Sequence, residues 1–261
     1  MTRFAFAFLT IVLCSITTTA QDLVTDRPDQ TESAESVPIS SLQLEMGVGM
    51  TLDEGLPDVL DNTLVADVPT VLVRYGIGKT VELRVGGGMI LERRRVDVPC
   101  GSIICDTMES SSSAAEATVG TKLELVSKGE HLLAVLGTVG MVFGEGDRSD
   151  MLAELRLSYA TEASSVLSIG INVGGTWSEG EDVVGLYTVA VGVGLSESFG
   201  SYFEIFGNGP WEDVQDHSFD TGITWLLSDV TQLDLSAGFG MTRAAPDAMI
   251  GLGVSTRFGG R

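Results

Sequence analysis

Past its first twenty residues the chain has no apolar run of the roughly 18–20 residues that a membrane-spanning helix needs. A helical membrane architecture is thereby excluded, even though hydrophobic residues make up 44% of the sequence. Positive charge is scarce as well. Fifteen Lys and Arg stand against 36 Asp and Glu, a formal net charge of −21. Nucleic acid is held by clustered bases, so it is excluded as a partner. Histidine is limited to His131 and His217, the only side chains whose ordinary pKa suits them to proton transfer near neutral pH. A rim site of His217 with Asp216 and Asp220 is the one catalytic grouping available, and it is too sparse to predict an enzyme. Gly78-Lys79-Thr80 imitates the end of a phosphate-binding loop, but the motif's first glycine would fall at Val73 and no helix follows. No cofactor is expected.

Cysteine is nearly absent too, with Cys14, Cys100 and Cys105 the only three. Residues 1–20 read as a secretory signal, with Arg3 as the positive end, Phe4 to Leu13 as the apolar core, and small residues before Gln21. Acylation of Cys14 is disfavoured by the bulk of Leu13. Cleavage after Ala20 leaves Cys100 and Cys105, spaced C-x4-C in an oxidising compartment, where a loop disulfide is the natural pairing. No histidine neighbours them, so no metal site is expected.

What the chain does have is 32 glycines, without collagen's period, and apolar residues set at alternate positions. In Leu42-Gln43-Leu44-Glu45-Met46-Gly47-Val48-Gly49-Met50 every even residue is apolar and every odd one is polar or glycine. Leu155–Tyr159, Leu167–Val173, Leu233–Phe239 and Ile250–Phe258 repeat the pattern. Period two is the mark of a strand with two unlike faces. It predicts strands near 41–53, 66–76, 80–92, 114–125, 131–143, 150–160, 165–177, 184–195, 199–207, 217–226, 230–241 and 247–258. Most approach the roughly 9–11 residues that cross a bilayer as a tilted strand, and the number is even, as in bacterial barrels.

The links alternate in length. Ile77–Lys79, Val126–Glu130, Thr161–Ser164, Ser196–Ser198 and Leu227–Asp229 are short. Glu54–Val65, Arg93–Ser113, Gly144–Ser149, Ser178–Val183, Asn208–Asp216 and Thr242–Pro246 are longer or more irregular. Short periplasmic turns with longer outer loops are the habit of membrane barrels. A soluble β-sandwich or lipocalin-like barrel would instead bury the apolar face. Against it, the polar face mixes Gly, Ser and Thr with charges, and Trp177, Tyr75, Tyr159 and Trp225 fall at strand ends on the apolar face, as interface aromatics do. The expected fold is therefore all-β, a transmembrane antiparallel up-and-down barrel over residues 41–258, with a short tail at 259–261.

Alternation assigns the charged residues to the lumen: Glu45, Arg74, Glu82, Arg84, Glu116, Lys122, Glu124, Glu154, Arg156, Glu204, Asp220, Asp234 and Arg257. A basic side chain facing lipid near the midplane costs about 2–4 kcal/mol, so the inward placement is compelled. Its use is open between a salt-bridge network that fills a narrow barrel and a polar conduit with a charge ladder. Residues 21–40 are polar and carry Pro28 and Pro38, which argue against a strand. This segment is either a disordered periplasmic tail or a plug folded into the barrel, with Asp26, Arg27 and Asp29 pairing lumen charges. The outer loops are acidic, from Asp53 and Glu54 through Glu179, Glu181 and Asp182 to Asp216. Arg93-Arg94-Arg95 is basic and suited to lipopolysaccharide phosphates.

Thr25-Asp26-Arg27-Pro28-Asp29-Gln30-Thr31-Glu32-Ser33 resembles the opening motif of the outer-membrane transporter family labelled "MetA-pathway of phenol degradation". Leu72–Gly76, Val81–Arg84, Phe203–Gly207 and Gly251–Phe258 are similar to its strand motifs, so the resemblance spans the mature chain. It implies a Gram-negative outer-membrane barrel, assembled by the barrel-assembly machinery among lipid and lipopolysaccharide, and moving small solutes such as aromatic or apolar compounds. The final aromatic Phe258 is followed by Gly259-Gly260-Arg261, a departure from the usual barrel ending. The competing expectation is a non-conducting barrel with a structural or surface-binding role.

Overall fold

A computed structural model describes residues 23–54, 61–100, 103–144, 149–210 and 216–259. The signal segment expected over residues 1–20 lies outside them. Twelve strands follow in chain order: β1 Ser41–Asp53, β2 Asp61–Gly76, β3 Val81–Cys100, β4 Ile103–Lys128, β5 His131–Phe143, β6 Ser149–Ser164, β7 Leu167–Ser178, β8 Val184–Gly194, β9 Phe199–Pro210, β10 Asp216–Ser228, β11 Thr231–Gly240 and β12 Ala248–Gly259. Each pairs antiparallel with its sequence neighbours, and β1 meets β12 from Ser41↔Gly259 to Leu52↔Ala248, closing the barrel. Closure leaves no strand edge, so the backbone polar groups of the wall satisfy one another, which is what lets strands stand in lipid.

The two faces divide as alternation requires. Val85, Val119, Leu155 and Leu252 are each more than half exposed, whereas Gln43, Arg74, Glu82 and Lys122 are fully buried. A soluble protein would show the reverse, so the apolar exterior is a surface made for lipid. Tyr75, Trp177 and Trp225 are exposed at strand ends, and Trp225 stacks on Phe199 with ring centroids 5.7 Å apart. Exposed aromatics at strand ends are the kind that suit the boundary between lipid tail and headgroup.

Two corrections to the expected outline follow from water rather than lipid. Arg93–Ser113, expected as the longest loop, is mostly strand, because β3 and β4 remain paired from Arg93↔Ser111 to Cys100↔Ile103. β2 likewise begins at Asp61 rather than near residue 66. Above the bilayer nothing demands an apolar face, so the period-two signal fades while the hydrogen-bonded ladder continues. Arg93 there meets Glu109 at 3.0 Å, and Asp97 meets Arg95 at 3.1 Å and Thr107 at 2.8 Å. Among the register shifts of the wall, those of two adjacent ladders coincide. Register shifts between Gly47 and Gly49 on β1, and between Asp67 and Thr70 on β2, fall beside Pro69, which has no N–H to donate to the ladder.

Candidate functional site

All thirteen charged residues assigned to the lumen project inward. Glu45, Arg74, Glu82, Arg84, Lys122, Glu204, Asp220, Asp234 and Arg257 are buried, and Glu116, Glu124, Glu154 and Arg156 are half-buried. What surrounds them is the chain's own N-terminal segment. Residues 23–38 run through the interior, with Leu23, Thr31, Ala34, Ser36 and Val37 buried. Prolines and polar residues keep this segment out of the sheet, so its N–H groups need acceptors elsewhere. The wall supplies them. The backbone N–H of Asp26 donates to Glu45 at 3.1 Å, Gln30 to Glu204 at 2.7 Å, Glu32 to Asn172 at 2.7 Å, Ser36 to Glu124 at 2.6 Å and Val37 to Glu82 at 2.8 Å. Wall cations take the carbonyls. Arg74 donates to Glu35 at 3.1 Å and Arg156 to Gln30 at 2.9 Å.

Charge is divided unevenly around this segment. Towards β1–β4, Asp26 pairs with Arg74 at 3.1 Å, Arg84 at 2.5 Å and Lys122 at 3.2 Å. Arg74 also holds Glu45 at 2.9 Å and Glu82 at 2.8 Å. Burial alone would raise the Asp26 carboxyl, but the three cations outweigh it and hold it well below the usual carboxylate range. Glu32 reaches Arg84 at 2.7 Å, yet burial dominates and pushes its carboxyl up to about 7.

Towards β8–β10 the balance reverses. Glu204 and Asp220 are directly opposite in register, and Tyr202 donates to Asp220 at 3.1 Å. Burial and the neighbouring Glu204 push the Asp29 carboxyl well above its ordinary value. Between the halves, Arg27 spans to Asp234 at 3.2 Å and lies over the paired glycines Gly47 and Gly253, where a Cβ would collide with its guanidinium.

Space remains on both sides of the segment. An outer cavity of about 370 Å³ is lined by Arg27, Pro28, Asp29 and Glu32 with Asp67, Glu116 and Arg156. Another, of about 460 Å³, is lined by Glu32, Arg84, Glu116 and Glu154. On the short-turn side, cavities of about 260 and 400 Å³ lie against Asp29, Tyr202, Ser168 and Gly192.

Sequence reasoning passed over the neutral lumen residues. Gln43, Asn172, Thr188 and Gln232 each contact either the N-terminal segment or its ion-pair partners. The signal was present, since each is the polar member of an alternating run. The catalytic grouping considered at His217 does not assemble. His217 faces outward and meets Tyr187 at 2.8 Å, whereas Asp220 faces the lumen. His131 meets Tyr159 at 2.8 Å on the same outward face near the opposite end. The Cys100 and Cys105 side chains lie outside the described residues, although β3 and β4 put both cysteines at the tip of one hairpin.

A family model described as "Putative MetA-pathway of phenol degradation" matches residues 25–258. The chain matches no curated protein. Among solved structures it is similar to an outer-membrane channel from Pseudomonas putida F1, with TM-score 0.61 and 11% identity over 87% of this chain and 98% of that one. The transport unit of the autotransporter AIDA-I from Escherichia coli matches with TM-score 0.56 and 8% identity over 84% of this chain and 90% of that one. The KdgM porin in complex with disordered oligogalacturonate matches with TM-score 0.53 and 8% identity over 84% and 99%. At such identities the likeness is one of fold.

Proposed function

The chain belongs to the family of that description, and we propose that it is a passive conduit for small solutes across the outer membrane, exported by a signal peptide cleaved after Ala20. One observation carries this reading. Arg27, Pro28 and Asp29 line cavities both on the outer side and on the short-turn side, so a few side chains separate the two. A barrel built only for structure gains nothing from cavities of several hundred Å³ on each side of so thin a partition. The family's description directs attention to phenol-like aromatics as the solute class. The similar structures include an outer-membrane channel and a porin in complex with oligogalacturonate, which suits the same role.

The test is solute flux. Proteoliposomes holding the mature chain should swell in isotonic small neutral solutes and admit phenol faster than protein-free liposomes, and purified protein should give discrete conductance steps in a planar bilayer. Complete pairing of Asp26 inside the barrel favours the competing reading of a closed structural barrel. Absence of both flux and conductance would establish that alternative.

Two partners complete the proposal. Arg93 and Arg95 continue the outward face of β3 just above Leu91 and are exposed, a position suited to lipopolysaccharide phosphates. β12, with the exposed Phe258 one residue before its end, is the strand offered to the assembly machinery. Cys100 and Cys105 are bridged in this account. Intact mass without reductant should be two hydrogens short of the dithiol, and a full dithiol mass would refute the bridge.

A further inference from the structure

We infer that the route through the lumen runs along one side only, past the Pro28–Asp29 stretch and Tyr202 of β9, with Asp29 and Asp220 as the selecting groups. The inference rests on the conduit reading and adds where passage occurs and what it favours.

The cavities impose the side. Outer space reaches around much of the lumen, against β1–β4 and β6 in one cavity and against β10–β12 in another. The described short-turn cavities lie only against the turn and strand ends from β4 to β10. Asp29 lines the first outer cavity and both short-turn cavities, and Tyr202 lines both of the latter. Among the described cavities, those that meet at Asp29 and continue past Tyr202 join the outer side to the short-turn side.

The opposite side is filled. Asp26 with its three cations, Glu45 and Glu82 forms a block whose side chains are at most 7% exposed. These charges are mutually consumed, and opening a passage there would strand several of them at once.

The chemistry of the open side follows. Asp220 and Glu204 stand face to face across the β9–β10 ladder, an arrangement that costs energy when both are charged. Glu204 accepts from the Gln30 N–H at 2.7 Å and from the Thr31 hydroxyl at 2.5 Å, so its position is set by the N-terminal segment. Asp220 is differently placed. Its Oδ2 accepts from Tyr202 and the facing Glu204 carboxyl is its other partner, so among the described residues no base answers it. The nearby bases are committed elsewhere, Arg27 to Asp234 and Arg156 to Glu154 at 3.0 Å. A small cation passing here supplies the counter-charge that lets these carboxyls ionise, a small neutral solute meets no opposing field, and an anion finds no base to pair with.

The experiment uses full-length mature protein with Cys100→Ser and Cys105→Ser, reconstituted in planar bilayers after a heat-modifiability gel establishes that each variant is folded. Tyr202→Cys should lose most of its conductance on exposure to a charged methanethiosulfonate reagent, whereas Ser41→Cys, buried on the inward face of β1, should be unaffected. Block at Ser41→Cys with none at Tyr202→Cys would overturn the route. Selectivity is read separately with Asp220→Asn in a tenfold salt gradient. The cation-to-anion permeability ratio should fall by roughly twofold or more. An unchanged ratio would remove Asp220 as a selecting group. A parent protein with no conductance at all overturns the conduit reading itself, an outcome distinct from both.

Discussion

Asp26 is the residue on which most of the interior converges, since one carboxylate answers Arg74, Arg84 and Lys122. Removing one partner from buried charges usually costs more than the pair is worth, because the others are left uncompensated. Asp26→Ala should therefore destabilise the folded protein by about 3–5 kcal/mol in a urea titration in lipid. A loss below 1 kcal/mol would mean that lumen water already serves the three cations. Glu32 gives the pH dependence. Burial raises its carboxyl from 4.5 to about 7, opposed by Arg84, so the seated segment favours the protonated form. Its stabilising contribution is full below about 4.5 and is lost as pH rises through 7. Asp26 has the opposite sign, and its contribution is lost only as the pH falls below the ordinary carboxylate range. Protease protection of residues 23–40 should thus weaken between about pH 4.5 and pH 7.5, and Glu32→Gln should reduce that change. Equal pH dependence in both proteins would assign it to another group.

Among the elements, β12 shows what could be read in advance. Leu252 was the apolar member of an alternating run, and in the barrel it lies opposite Val48 on β1 and Leu235 on β11, all three exposed on the outer face. Leu252→Arg should cost about 2–4 kcal/mol in bilayer refolding if that face meets the hydrocarbon core, and almost nothing if it meets water. The face of every strand was legible because lipid imposes a period of two on whatever it touches. Strand length was not legible where lipid stops, and β3 and β4 pass through Arg93–Asp97 and Thr107–Ser113 with no hydropathy signal. The N-terminal segment was least legible of all. Polar residues with two prolines fit a solvated tail as well as a lumen filling, and what decides between them is contact at long range, as when Thr31 meets Glu204, 173 residues away in sequence.

For the whole molecule, the barrel wall explains residence in a membrane, and the segment inside it explains the lumen. The inward charges divide by side, with the β1–β4 side paired off and the β8–β10 side left acidic. Central to the account is that residues 23–38 occupy the lumen and restrict it to a narrow path. Single-channel conductance of the mature protein, compared with a variant lacking residues 23–38, tests this most directly. A small, finite conductance is expected for the complete chain, and one several-fold larger for the shortened chain. Equal conductance in the two would contradict the account, because the segment would then leave the lumen unobstructed.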